Sequence, residues 1–215
     1  GLGAWACGAI WCPLAEFLRR YGGSAPLIVG LIACYRISDV VMGVMSNSFY
    51  VDLQFSKTEV ATITKVYGVI MTLVGAALGG VLVMRFGTLR ILFLGAVLTA
   101  STNLLFALLN EVGHDLELLT LIISLDNLSA GIATAAFVTY LSSLTNVAFS
   151  ATQYALFSSI MLLMPKLLAG FSGQVVEQIG YSSFFVGTSL LGIPVMILII
   201  MVAKRGDALL PQADK

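Results

Sequence analysis

The chain is 215 residues long, and 59% of it is hydrophobic while only 10% is charged. With a mean hydropathy of +0.99, it has too little polar surface to cover a water-soluble core of this size. Its 11 basic residues balance 11 acidic ones, which excludes the basic surface that a nucleic-acid partner would need. We therefore expect the chain to lie in a lipid bilayer.

The first 23 residues are predicted to be the end of a preceding segment followed by a linker. Residues 1–12 are too short to span a membrane alone, and they lack the basic start of a signal peptide. Residues 13–23 place Pro13 in a first helical turn, with Glu and Arg on one side and Leu and Phe on the other. This pattern predicts an amphipathic helix at the cytoplasmic membrane interface.

Six apolar stretches follow, each near the ~20 residues that a helix needs to cross a hydrocarbon core of ~30 Å. None alternates polar and apolar residues as a membrane strand does. The predicted fold class is all-α, a polytopic transmembrane helix bundle over residues 24–204, with a tail at residues 205–215. The six stretches are residues 25–48, 60–84, 89–109, 118–144, 151–172 and 182–203.

The basic residues predict the orientation of this bundle. Lys57 is the one base in the connections on one side of the six stretches. The positive-inside rule then places both termini of the segment in the cytoplasm. The basic residues on the opposite side are Arg19, Arg20, Arg85, Arg90, Lys204, Arg205 and Lys215.

Ionisable residues inside the predicted helices need an explanation, because a charge at bilayer depth is costly. Arg36 and Asp39 lie three apart and share one face of the first helix. At 1.5 Å per residue, Asp39, Asp126 and Lys166 each lie ~14 Å from the outer end of their helices, in one layer. Either Arg36 with Asp39 and Asp126 with Lys166 are structural ion pairs, or Asp39 and Asp126 are proton carriers in a polar cavity.

Residues 80–90 (GVLVMRFGTLR) resemble the loop motif of the major facilitator superfamily, G-x-x-x-D-R-x-G-x-x-R. Gly80 would allow close packing, Arg85 would cap the carbonyls of a helix end, and Gly87 would permit a bend. Met84 stands at the acidic position of the motif, so that charge is missing. These residues are predicted to control the conformation of two neighbouring helices.

Residues 126–146 (DNLSAGIATAAFVTYLSSLTN) and 149–159 (FSATQYALFSS) are similar to the C-terminal half of AmpG-type muropeptide permeases. The similarity extends from about residue 13 to residue 202. It implies a six-helix half of a major facilitator fold in a bacterial inner membrane. It also implies proton-driven import of anhydromuropeptides for peptidoglycan recycling and β-lactamase induction. The partner would be an N-terminal six-helix half, and the proton gradient would take the place of a cofactor.

A disaccharide-peptide carries hydroxyls, amides and carboxylates, so its site should offer hydrogen bonds and positive charge. Gln153 and Tyr154, near the cytoplasmic end of the fifth helix, are candidates for a gate. Pro165 predicts a kink or hinge. The predicted substrate-binding residues are Arg36, Lys65, Asn127, Tyr140 and Lys166.

Three other interpretations account for part of the sequence. An acetyl-coenzyme A carrier of the same superfamily is one alternative, and a membrane scaffold that transports nothing is another. Residues 170–173 (GFSG) match the G-x-S-G of rhomboid proteases, but the single His114 lies upstream in a loop and cannot serve Ser172 as a base. With three cysteines and one histidine, and no CxxC, the sequence predicts neither a metal site nor an enzyme.

Overall fold

The computed structural model describes residues 11–146 and 150–206. Within those ranges the chain is helical and has no strand, which confirms the all-α fold class. The helices are α1 Cys12–Tyr21, α2 Ala25–Cys34, α3 Ile37–Asp52, α4 Lys57–Thr62, α5 Val69–Phe86, α6 Thr88–Val112, α7 Leu116–Leu144, α8 Ser150–Ala169, α9 Ser172–Leu190 and α10 Gly192–Gly206.

Five helical stretches of the described chain are long and apolar enough to cross a membrane. The predicted fifth span corresponds to α8, which is 20 residues long but is not among the five, and which carries Ser, Thr, Gln and Lys side chains. All six predicted spans are nevertheless helical. The five stretches are Cys12–Asp52, Lys57–Phe86, Thr88–Val112, Leu116–Leu144 and Ser172–Arg205.

Three of the predicted spans are interrupted. The first divides into α2 and α3 at Arg36, whose φ of −98° and ψ of 6° leave the helical region. The second passes from α4 to α5 through a π-helical turn, Ile63–Gly68. The last breaks between α9 and α10, and Gly180, where φ is 76°, kinks α9 just before that predicted span begins. A sequence scan for apolar length does not detect such breaks, because the hydropathy continues through them.

Small residues bring α5 and α7 into backbone contact. A Cβ atom at Gly75 would collide with the Leu128 carbonyl oxygen, and one at Gly131 would meet the carbonyl of Thr72 and the amide nitrogen of Ala76 at 2.8 Å. This is the close approach that small residues permit in membrane helices. Gly79, rather than the Gly80 of the predicted loop motif, therefore packs against α7.

Two apolar clusters fill the bundle and lie at different levels along its helices. The first cluster includes Phe17, Leu31, Leu92 and Phe137. The second includes Phe49, Phe106, Leu119 and Phe185. Along α6 and α7 the two clusters are separated by polar residues, which places the polar side chains in a middle layer.

We expect Gly131→Ala to lower the free energy of unfolding by about 1–3 kcal/mol, since the added methyl group has no space beside the α5 backbone. The matched variant Gly187→Ala should be nearly neutral, because within the described ranges nothing lies within 4 Å of a Cβ atom there. Thermal unfolding in detergent micelles compares the two. Equal melting temperatures for both variants would contradict the α5–α7 contact.

Candidate functional site

The polar layer forms the candidate site, and we call it the polar belt. On α6 it lies between Leu98 of the first apolar cluster and Leu105 of the second. On α7 it lies between Ile123 of the second cluster and Leu128 of the first. The belt consists of Arg36, Asp39, Thr102, Asn103, Asp126 and Asn127.

The Arg36 guanidinium bridges two helices at the break between α2 and α3. It donates to the Asp39 carboxylate over 2.7 Å and to Thr134 Oγ1 on α7 over 3.0 Å. Both side chains of the ion pair are 25% exposed. The predicted Arg36–Asp39 pair is therefore present, and the guanidinium also fixes the start of α3 against α7.

Asp126 has a different environment from Asp39. Its carboxylate accepts a hydrogen bond from Thr102 Oγ1 on α6 over 2.9 Å. Asp39 lies near enough to interact electrostatically with it. Among the described residues no basic side chain forms an ion pair with Asp126. The structure thus brings the two predicted proton carriers together, one held by a cation and one by a hydroxyl.

Asn127, predicted to bind substrate, lies beside Asp126 and already has two partners. Thr72 Oγ1 donates to its side-chain oxygen over 3.0 Å, and its amide nitrogen donates to the Ile123 carbonyl over 2.8 Å. Gly68, at the end of the π-helical turn, packs against this amide. Asn127 therefore connects the belt to the point where α5 begins.

A second polar contact closes the belt on the side of α9. Asn103 Nδ2 donates to Ser38 Oγ over 2.8 Å, and that hydroxyl donates to the Thr188 carbonyl over 2.6 Å. Asn103 is fully buried, and its Oδ1 has no partner in the described part of the chain. Ser38 and Asn103 are not among the residues predicted from the sequence. The sequence signal that could have identified them is the presence of an amide and a hydroxyl side chain within otherwise apolar helices.

A small cavity adjoins the ion pair. Its volume is about 20 Å³, enough for one water molecule, and it is lined by polar and small residues. A single water fits the hydrogen-bonding groups there, whereas a larger ligand does not. The lining residues are Tyr35, Arg36, Asp39, Ala96, Thr99, Ala130 and Ala133.

The predicted cations Lys166 and Lys65 lie outside this cluster of contacts. Lys166 is exposed on α8, which packs on α2 and α3, and it forms no ion pair with Asp126. That part of the ion-pair interpretation is wrong, because α8 does not present Lys166 to Asp126. Lys166 does lie between Met161 and Ala169, at the level of the belt. Lys65 is exposed on the π-helical turn, in a shallow pocket with Lys57 and Thr62.

The remaining candidates on α7 and α8 are largely part of the protein interior. Tyr140 is 5% exposed and belongs to the first apolar cluster, and its hydroxyl has no partner within the described ranges. Gln153 is buried and hydrogen-bonded to α1, and Tyr154 packs against the first cluster. Pro165 is buried inside α8. The structure therefore does not place Tyr140 at an open polar cavity.

The predicted loop motif forms the turn between α5 and α6. Gly87, with φ 87°, is the single residue between the two helices, which confirms the predicted bend. A Cβ atom at Gly80 would meet nothing within 4 Å in the described structure. The Arg85 guanidinium lies over the Phe86 ring at 5.5 Å rather than capping helix carbonyls.

The serine and histidine weighed for protease chemistry are in separate environments. Ser172 is buried, and its hydroxyl donates to the Val41 carbonyl over 3.4 Å. His114 lies 3.9 Å from Glu59 and contacts the Phe55 ring. Neither residue contacts the other, so the geometry offers no activated serine.

These features define a multi-pass membrane protein with a polar site inside its helix bundle. Residues 27–214 match the family model described as Major Facilitator Superfamily, and the chain belongs to that transporter superfamily. This membership agrees with the predicted fold and with the prediction that the chain is not an enzyme.

The names of similar proteins also indicate a transporter. A Rickettsia felis protein named "Putative transporter AmpG 4" is 30% identical over 197 residues, which are 92% of this chain and 47% of that protein. The Escherichia coli protein named "Anhydromuropeptide permease" is 31% identical over 194 residues, 90% of this chain and 39% of that protein. The similarity to AmpG-type proteins is thus confirmed, and the chain spans less than half the length of these relatives.

We expect the Arg36–Asp39 pair to be energetically coupled. Arg36→Gln leaves the Asp39 carboxylate without its cation, so it should destabilise the fold more than the double variant Arg36→Gln/Asp39→Asn does. Thermal unfolding of the two single variants and the double variant should give a coupling energy of about 1 kcal/mol or more.

The exposed pair Glu59 and His114 provides the control for this cycle. Its atoms are 3.9 Å apart and its side chains are 35% and 44% exposed, so solvent screening should leave it no measurable coupling. Coupling energies of the same size for the two pairs would contradict a special role for Arg36.

Proposed function

We propose that this chain is half of a proton-coupled transporter that imports anhydromuropeptides for peptidoglycan recycling. The observation that carries the proposal is the contrast between the two carboxylates of the polar belt. The Asp39 charge is held by Arg36, whereas among the described residues the Asp126 carboxyl group has only a hydroxyl donor. A group that must gain and lose a proton at bilayer depth needs a partner that tolerates both states, and a hydroxyl does so.

The proposed cycle uses the interaction between the two acids. When Asp126 is protonated, Asp39 interacts with Arg36 alone. When Asp126 loses its proton, its negative charge repels the Asp39 carboxylate that pairs with Arg36. Since Arg36 also holds Thr134, a change in its pairing would alter the contact between α3 and α7. Proton binding would in this way be linked to helix position.

The proposed substrate is supported by the name of a relative and by the chemistry of polar side chains in this chain. The name of the Escherichia coli relative states what that protein carries, and this chain shares 31% identity with it. Lys65 and Lys166 are exposed cations that could bind substrate carboxylates, and Asn127 offers an amide. Major facilitator proteins form their sites between two halves, so we propose an N-terminal six-helix half as partner.

The proposed setting is a bacterial inner membrane with both ends of this segment in the cytoplasm, as the positive-inside rule predicts. Import from the periplasm would return cell-wall fragments for recycling. It would also supply the signal for β-lactamase induction where an inducible enzyme is present. An acetyl-coenzyme A carrier of the same superfamily is the alternative, but none of the relatives described above is named for that substrate.

The test is uptake of labelled anhydromuropeptide by cells that lack their own permease and express the complete protein. We expect uptake to collapse when a protonophore is added. Asp126→Asn should abolish accumulation against the gradient but retain exchange of labelled for unlabelled substrate, because the amide cannot release a proton. Glu177→Gln, which removes an exposed carboxylate on α9, should leave uptake unchanged.

Each outcome bears on a different part of the proposal. Absence of uptake by well-expressed wild-type protein would remove the muropeptide assignment. Uptake that survives the protonophore would remove proton coupling. Full accumulation by the Asp126→Asn variant would remove Asp126 from the mechanism and leave Asp39 as the remaining carboxylate of the belt.

A further inference from the structure

Helix α1 is attached to the ends of two other helices through a single carboxylate. One oxygen of Glu16 accepts a hydrogen bond from Asn146 Nδ2 over 2.9 Å, just beyond the end of α7. The other oxygen accepts from Gln153 Nε2 over 2.6 Å, in the first turn of α8. Glu16 therefore connects α1 to the junction of α7 and α8, which lies more than 100 residues away in the sequence.

The Gln153 amide uses both of its donor hydrogens and its acceptor oxygen around this contact. Its nitrogen donates to Glu16 and to the Pro13 carbonyl over 3.0 Å, and its oxygen accepts from the Asn146 backbone N–H over 2.7 Å. Gln153 is 1% exposed. A buried amide that loses such a partner is left with an unsatisfied polar group, which makes the arrangement sensitive to Glu16.

The apolar attachment of α1 is small. Phe17 is buried, and its ring centroid lies 4.9 Å from that of Phe157 on α8. The other side of α1 is exposed, since Leu18 is 49% accessible, and Trp11, just before the helix, is 63% accessible. Gly22, with φ 48°, and Gly23 separate α1 from α2. Helix α1 has ten residues, few buried contacts and two glycines directly after it. It can therefore detach from the rest of the bundle as a unit.

We infer that Glu16 is a positioning residue, and that α1 is a strap that holds the ends of α7 and α8 together. Helix α8 also packs on α2 and α3, whose junction carries Arg36. The strap thus sets where the first turn of α8 lies relative to the helices of the polar belt. This role does not depend on which substrate is carried or on proton coupling.

The test is hydrogen–deuterium exchange with mass spectrometry on the complete protein in lipid nanodiscs. Glu16→Gln keeps the size of the side chain but replaces one acceptor oxygen with an NH₂ group. That group then faces the amide donor of either Asn146 or Gln153. We expect about tenfold faster exchange in α1 and in the first turn of α8, with α6 unchanged. Glu177→Gln, a carboxylate removed elsewhere, should exchange as the wild type does.

Exchanging the two partners gives a rescue experiment. Gln153→Glu places two carboxylates face to face and should also accelerate exchange in α1. The double variant Glu16→Gln/Gln153→Glu restores a donor opposite an acceptor between the two side chains but leaves the Pro13 carbonyl without its donor, so exchange in α1 should be slower than in either single variant without reaching the wild-type rate. A Gln153 that only fills space would show no rescue. Unchanged exchange in Glu16→Gln, or a double variant as fast as the single ones, would overturn the strap.

Discussion

The contact of the Arg36 guanidinium with Asp39 and Thr134 is the interaction on which the middle of the bundle depends. A helix that leaves its regular geometry inside a membrane exposes backbone groups, and this is tolerated only where the protein provides partners. Arg36 lies at such a break and ties the new helix to its neighbour. The other polar contacts of the belt extend from this point, through Asp126 toward α6 and through Asn127 toward α5. Between two apolar clusters, this layer is the place where charge can be held at depth.

Much of the architecture could be predicted from the sequence, because length and hydropathy determine which segments cross a membrane. The Arg36–Asp39 pair was predictable too, since its members are neighbours on one helix. Pairing between helices was not. Asp126 and Lys166 share a level, but which helices are adjacent depends on packing that no local pattern reveals. For the same reason Gly79, rather than Gly80, meets α7, and Tyr140 lies in the core instead of a cavity.

The amphipathic pattern of the linker correctly predicted a helix with two different sides, but it did not predict what those sides contact. The sequence indicated a polar side and an apolar side, which suggested a helix lying between water and lipid. In the structure the polar Glu16 and the apolar Phe17 both face protein, while Trp11 and Leu18 remain exposed. Two residues that were candidates for a gate illustrate the same point, because Gln153 is an anchor for this helix and Tyr154 belongs to the packing beneath it. An amphipathic pattern shows that the two sides of a helix differ in polarity, but it does not show what each side contacts.

The position of the polar belt between two apolar clusters has an electrical consequence. Apolar layers of low dielectric constant on both sides make the membrane potential fall across them, so the belt lies near the middle of the voltage drop. A charge that moves between the belt and either aqueous phase would cross about half of the field, roughly 1 kcal/mol for each 100 mV. Occupancy of a proton site in the belt would then respond to membrane voltage as well as to pH. Two carboxylates at the same depth would experience the same voltage, and only their different partners would distinguish them.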